Sequence, residues 1–143
     1  MTPTEFDNRV RTAMVEKPAW FKGIEPSVDL DAVTEVESEL GCTLPTEFKH
    51  FAMNFGGGYF GGVNLSTLDE ASGWYVLSRP AIKVDGKAML VISDDEAGGY
   101  YGFARTNDGF DPAVIYVNPD DGGHREDAAS SFFEFIEKFA LNV

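Results

Sequence analysis

Cysteine is nearly absent from this chain of 143 residues, where Cys42 stands alone. Without a second thiol there is no internal disulfide, and without a CxxC pair there is no cysteine-rich zinc module, which points to a reducing compartment. Histidine is scarce too: His50 and His124 form no HxxxH or HExxH helix. The acidic runs Asp94-Asp95-Glu96 and Asp120-Asp121 lack the alternating spacing, glycine and terminal Glu of a calcium loop. No metal site and no cofactor are expected. No GxSxG elbow is present, and a P-loop ahead of Gly86-Lys87 fails because residue 81 is Ala, so no catalytic residue is assigned.

Long apolar runs are also missing. No segment approaches the roughly 20 residues of a membrane-crossing helix, and the start MTPTEFDNRV has neither a basic flank nor an apolar stretch resembling a signal peptide. The expectation is a cytoplasmic protein with no membrane attachment. Basic residues are few: 11 Lys and Arg against 24 Asp and Glu leave a net charge of −13, which opposes binding to nucleic acid or to an anionic surface. That charge serves solubility or recognition of a basic protein, and both readings stand at this point. No repeat, low-complexity tract or Pro/Ser-rich linker divides the chain, so residues 1–143 are read as a single domain.

What is present is a core. Hydrophobic residues make up 43% of the chain, 12 of them Phe. Thr2-Pro3-Thr4-Glu5 has the spacing of a helix start, and Phe6, Val10, Ala13 and Met14 follow on one stripe, ending before Pro18. A second helix starts near Ser27 to Asp29, buries Leu30, Val33, Val36 and Leu40, and stops at Gly41. Pro45 opens a third, in which Phe48, Phe51, Ala52 and Phe55 share a face, and Gly56 ends it.

Gly56-Gly57-Gly58-Tyr59-Phe60-Gly61 matches GxGxxG literally. The glycines follow a helix rather than a strand, however, so they are read as a helix cap leading into a strand over 59–65 and not as a phosphate loop. Further strands are expected at 73–79, 88–93, 100–105 and 113–118, with turns at Asp85-Gly86, Asp108-Gly109 and 120–123. Ser130-Ser131 starts a last helix bearing Phe132, Phe135, Ile136, Phe139 and Ala140. The order predicts an α+β fold, with N-terminal helices and a C-terminal helix packed on a mainly antiparallel sheet of about five or six strands.

The segment Glu37-Ser38-Glu39-Leu40-Gly41-Cys42-Thr43-Leu44-Pro45-Thr46-Glu47-Phe48-Lys49-His50-Phe51, followed by Gly56-Gly57, resembles the signature of the SUKH superfamily, the Smi/Knr-type family. That signature runs E-x-x-LG-x-x-LP-x-x-(Y/F)-(K/R)-x-(F/L) and then Asn-Gly-Gly; here Phe55 stands in place of the Asn. The later order is similar as well: Ile92 to Gly99, Val114 to Val117, and Ser131 to Ile136. The resemblance extends over about residues 24–140 and is strongest there. It implies a SUKH-like fold in which Glu37, Leu40, Gly41, Leu44, Pro45, Phe48, Phe51, Gly56 and Gly57 are structural. It also implies a non-enzymatic, protein-binding domain: a bacterial immunity protein that neutralises a cognate toxin, for which a basic nuclease suits the acidic charge. The alternative is a scaffold or regulatory module in cell-wall or other housekeeping assembly, and a carbohydrate-active or other hydrolase is the least favoured.

Partner binding is expected on loops beside the sheet, where carboxylates meet aromatic anchors. Two groups qualify: Asp69, Glu70 and Trp74, and Asp94, Asp95, Glu96, Tyr100 and Tyr101. Alternation along a strand prevents both tyrosines from facing one interior, so one of the two should be accessible. Cys42 is expected to be a buried residue of the helix connection.

Overall fold

The computed structural model describes residues 1–143. Its local starts and stops follow capping chemistry. The first helix, α1 (Pro3–Glu16), begins where the Thr2 hydroxyl accepts the Glu5 N–H at 3.1 Å, and α2 (Leu30–Leu40) begins where Asp29 accepts from Ala32 N at 3.0 Å. Gly41, left-handed at φ 73°, ends α2 and returns its N–H to Glu37 O. The next helix, α3 (Thr46–Asn54), follows Pro45 directly.

The Glu of the family signature has a visible task between these two helices. Its Oε2 accepts the Leu44 N–H at 2.6 Å and pairs with Lys49 Nζ at 3.2 Å, closing the corner while Leu44 is buried. Phe55, the departure from the signature, is a core residue packed against Phe6 and Phe51. Gly56 must be glycine: its φ is 82°, and a Cβ there would collide with the Glu25 carbonyl oxygen. Cys42 is half-exposed rather than buried, because Arg105 Nη1 reaches its Sγ at 2.8 Å and holds the connection at the surface.

Nine strands form three antiparallel groups. The first contains β1 (Ile24–Glu25), β2 (Gly57–Phe60) and β3 (Val63–Leu65), in that order. A hairpin of β4 (Lys83–Val84) and β5 (Lys87–Ala88) turns at Asp85-Gly86. The third is a meander of β6 (Leu90–Asp94), β7 (Tyr100–Arg105), β8 (Phe110–Val117) and β9 (Arg125–Ala129). The α+β class and the antiparallel order agree with the sequence, while the strand count exceeds the expectation.

The first and third groups join where β3 ends. Ser66 N donates to Ile92 O at 2.8 Å, its hydroxyl donates to Val91 O at 2.9 Å, and Asp94 N donates to Asn64 Oδ1 at 3.1 Å. Register falls from Asn64–Asp94 to Ser66–Ile92, so the junction is antiparallel and the edge of β6 is occupied. The strand expected over 73–79 therefore has no ladder to join. Apart from one bridge, Thr67 to Tyr75, that segment forms a 3-10 turn at Val76–Ser78. The strand expected over 59–65 is instead a hairpin, broken by the turn at Gly61-Gly62.

Rings fill the space between the helices and this face of the sheet. Of the twelve phenylalanines all but Phe110 and Phe139 are buried. Phe6 stacks on Phe133 with centroids 4.0 Å apart, and Phe51 meets Phe60 edge-on at 4.9 Å. Burying each such ring is worth roughly 2–3 kcal/mol. The opposite face of the meander carries a smaller cluster of Val84, Met89, Val91, Ala104, Ile115 and Val117, to which the β4–β5 hairpin contributes. The last helix, α4 (Phe132–Phe135), is capped by Ser131 and runs on as a π-helical turn over Ile136–Ala140. No helix is long and apolar enough to cross a membrane.

Candidate functional site

The turn between β6 and β7 is built by its own carboxylates. Asp95 accepts the N–H groups of Ala97 and Gly99 through Oδ1, both at 2.8 Å, and the Tyr116 hydroxyl through Oδ2 at 2.5 Å. The Tyr116 bond holds Asp95 below the usual carboxylate range, with the turn N–H groups adding to it. The same bond pushes the Tyr116 phenol up to about 12. Glu96 sits at the crest with φ 59°, a left-handed backbone that few non-glycine residues adopt.

Beneath the turn, Arg79 gathers three acceptors. Its Nε donates to Ser66 Oγ at 2.8 Å, Nη1 to Asp94 Oδ2 at 2.8 Å, and Nη2 to Asn64 Oδ1 at 2.9 Å. Its guanidinium lies over the Trp74 ring, 5.1 Å from the centroid. Asp94, expected at a partner surface, is thus first an anchor that ties the 73–79 segment to the strands.

On the solvent side of this network a groove of about 430 Å³ opens between the β6–β7 turn, the β2–β3 hairpin and the C-terminal helix. Asp94, Asp95 and Glu96 line one side; Trp20, Tyr59, Tyr101 and Phe139 supply the rings. Backbone bonds set these elements together: Gly61 N donates to Trp20 O at 2.9 Å, Tyr59 N to Gly23 O at 3.1 Å, and Gly62 N to Ala140 O at 2.9 Å. Gly61, at φ 58°, leaves no room for a Cβ against the Ala140 carbonyl oxygen. Trp20 and Tyr59 are 52% and 53% exposed, and every other Phe, Tyr and Trp is buried or half-buried. No Lys, Arg or His lines the groove.

Four of the eight residues singled out in the sequence meet here: Asp94, Asp95, Glu96 and Tyr101. Trp74 stands one ring away, edge-on to Tyr59 at 5.0 Å. Tyr100 and Tyr101 are both half-buried, on opposite faces of β7: Tyr101 packs against Tyr116, Phe135 and Phe139, and Tyr100 against the smaller cluster. Asp69 shapes its own turn by accepting from Ala71 N at 3.0 Å. Glu70 belongs to a different acidic patch, where burial first, and then Glu70, Glu35 and Glu39, raise the Tyr75 phenol. Trp20, Tyr59, Asn64, Arg79 and Phe139 were not singled out. No local signal separated Trp20 from the adjacent Phe21 in the Pro18–Gly23 connection, although one is exposed and the other buried.

A larger cleft of about 980 Å³ lies between α1 and the C-terminal helix. Among its lining residues Arg9 pairs with Glu137, the Ser130 hydroxyl donates to Glu134, and Glu47 accepts the Phe133 N–H. Its one aromatic ring, Phe133, is buried. No three His, Cys, Asp or Glu side chains converge as metal ligands anywhere in the molecule.

No curated protein matches the chain. A family model described as SMI1 / KNR4 family (SUKH-1) matches residues 27–138, a span that holds the Glu37–Pro45 corner, strands β2 to β9 and most of the last helix. By that match the chain belongs to the SMI1 / KNR4 family (SUKH-1).

Proposed function

We propose that this protein is an immunity-type binding domain that neutralises a cognate toxin by occluding it, without catalysis of its own. The observation that carries this reading is the placement of the two exposed aromatic rings. A fold that buries or half-buries every other Phe, Tyr and Trp leaves Trp20 and Tyr59 facing solvent, beside Asp94, Asp95 and Glu96, in one groove. Exposed rings next to charge are the composition of binding hot spots. The net charge of −13 favours a basic partner, of which a nuclease domain is the natural class, because complementary charge speeds encounter and excludes acidic competitors. A cytoplasmic setting fits the single unpaired thiol.

The test pairs this protein with the toxin domain encoded beside it. Expected are a one-to-one complex in size-exclusion chromatography with light scattering, rescue of growth on coexpression, and faster association at low salt. Reversing Glu96 to Lys and truncating Trp20 to Ala should slow association and weaken rescue with folding intact. A neighbouring product that is neither toxic nor bound overturns the immunity reading. The second reading, a regulatory scaffold, is favoured by the family description, which names the Smi/Knr group itself. Specific retention of cell-wall-assembly proteins, with no toxin, would favour it.

A further inference from the structure

The groove has walls of two chemistries, and together they fit one kind of side chain. We propose that it receives a single arginine of the partner protein, its guanidinium facing Glu96 and Asp95 and its plane against the exposed rings. This rests on the reading of the protein as a binder and names the chemistry of the site.

Size comes first. A volume of about 430 Å³ is enough for one long side chain. Charge comes second. Asp94 is offset by Arg79, but neither Asp95 nor Glu96 is in an ion pair, and no basic residue lines the groove. Asp95 is held by three donors, and Glu96 has no side-chain hydrogen bond. One carboxylate is therefore fixed and the other free to meet a ligand.

The rings decide between cations. Trp20 and Tyr59 are each about half exposed, and Tyr101 and Phe139 line the same groove. A planar, weakly hydrated guanidinium stacks on such faces and binds carboxylates, whereas a lysine ammonium keeps its water and presents a point charge. The chain itself contains the combination on the other side of Asp94, where Arg79 lies over Trp74 and donates to that carboxylate.

The backbone around the groove departs from regular geometry. Gly61 and Glu96 are left-handed, and the π-helical turn Ile136–Ala140 contains Phe139. Left-handed geometry would be easier for Gly or Asn at residue 96, yet a carboxylate stands there. Uncommon turns of this kind gather where a fold presents side chains to a ligand.

The experiment is an NMR titration of the full chain with N-acetyl-arginine methylamide, read at the Trp20 indole N–H and at the amides of 59–62 and 94–97. The citrulline and lysine counterparts serve as controls. Expected is saturable binding on the order of millimolar, weakened about fivefold by Glu96→Gln and by Trp20→Ala, with no saturation by the citrulline probe. Both side chains are exposed, so an unchanged melting temperature confirms that the variants fold. Equal response to citrulline, absence of saturation, or indifference to Glu96→Gln overturns the proposal; equal affinity for lysine overturns the choice of arginine. If Glu96→Gln and Trp20→Ala weaken probe binding as expected but neutralise the toxin undiminished, the groove is not the toxin interface: the proposal falls and immunity stands. If the probe binds as expected and no toxin does, the arginine site stands and the immunity reading falls.

Discussion

Replacing Arg79 by Ala removes the one cation that holds three acceptors together beneath the β6–β7 turn. The side chain is only 10% exposed and its partner Asp94 22%, while Asn64 and Ser66 are almost fully buried. Truncation leaves a carboxylate, an amide oxygen and a hydroxyl short of donors. Breaking one side of a buried ion pair costs roughly 3–5 kcal/mol, and the residual exposure of Asp94 places this case at the lower end, about 3 kcal/mol. For a chain of this length that corresponds to a fall in melting temperature of about 10 °C. Arg79→Lys keeps the charge but loses the fork, so it should cost about 2 kcal/mol through acceptors left unmet. Adding Asp94→Asn to Arg79→Ala should recover about 1 kcal/mol, because the uncompensated charge is gone. Urea denaturation with a constant m-value measures all three. A loss below about 1 kcal/mol for Arg79→Ala, or no recovery in the double variant, would refute the assignment of this network as the tie between segment and sheet.

Two further outcomes follow from the same geometry. Glu37→Ala strands the Leu44 N–H and frees Lys49, which should lower stability by about 1–2 kcal/mol in the same denaturation assay and raise hydrogen exchange at Leu44. The Asp95–Tyr116 bond gives two pH signatures of opposite placement: Asp95, lowered in the fold, contributes stability above its unfolded pKa that is lost as pH falls through the folded value, and Tyr116, raised to about 12, contributes stability below pH 10 that is lost as pH rises from there toward 12. Carbon-13 NMR titration of Tyr116 checks this, and in Asp95→Asn the phenol should titrate closer to its ordinary value; an unmoved titration would refute the coupling.

The sequence by itself determined the elements whose cause is local. Thr2, Asp29 and Ser131 cap helices through N–H groups three residues on, Gly41 and Pro45 set the corner between α2 and α3, and 3.6-residue periodicity placed Phe6, Phe48, Phe51 and Phe132 in the core. The Asp85-Gly86 and Asp108-Gly109 turns were legible for the same reason, since their chemistry lies within a few residues. All three of the groove's carboxylates and one of its four rings were visible as the acidic turn ahead of Tyr101. What the sequence left open depends on contacts across the chain. β9 was illegible because Arg125, Glu126 and Asp127 carry the charge of an exposed edge and show no apolar alternation; pairing with β8 makes it a strand. The 73–79 segment has the residues of a strand, but Asn64 and Ser66 had already taken the edge of β6. Only the tertiary structure brought Trp20, Tyr59, Glu96 and Phe139 to one groove, because side chains so far apart in the chain become neighbours through backbone bonds such as Gly61 to Trp20 and Gly62 to Ala140, which no local pattern encodes.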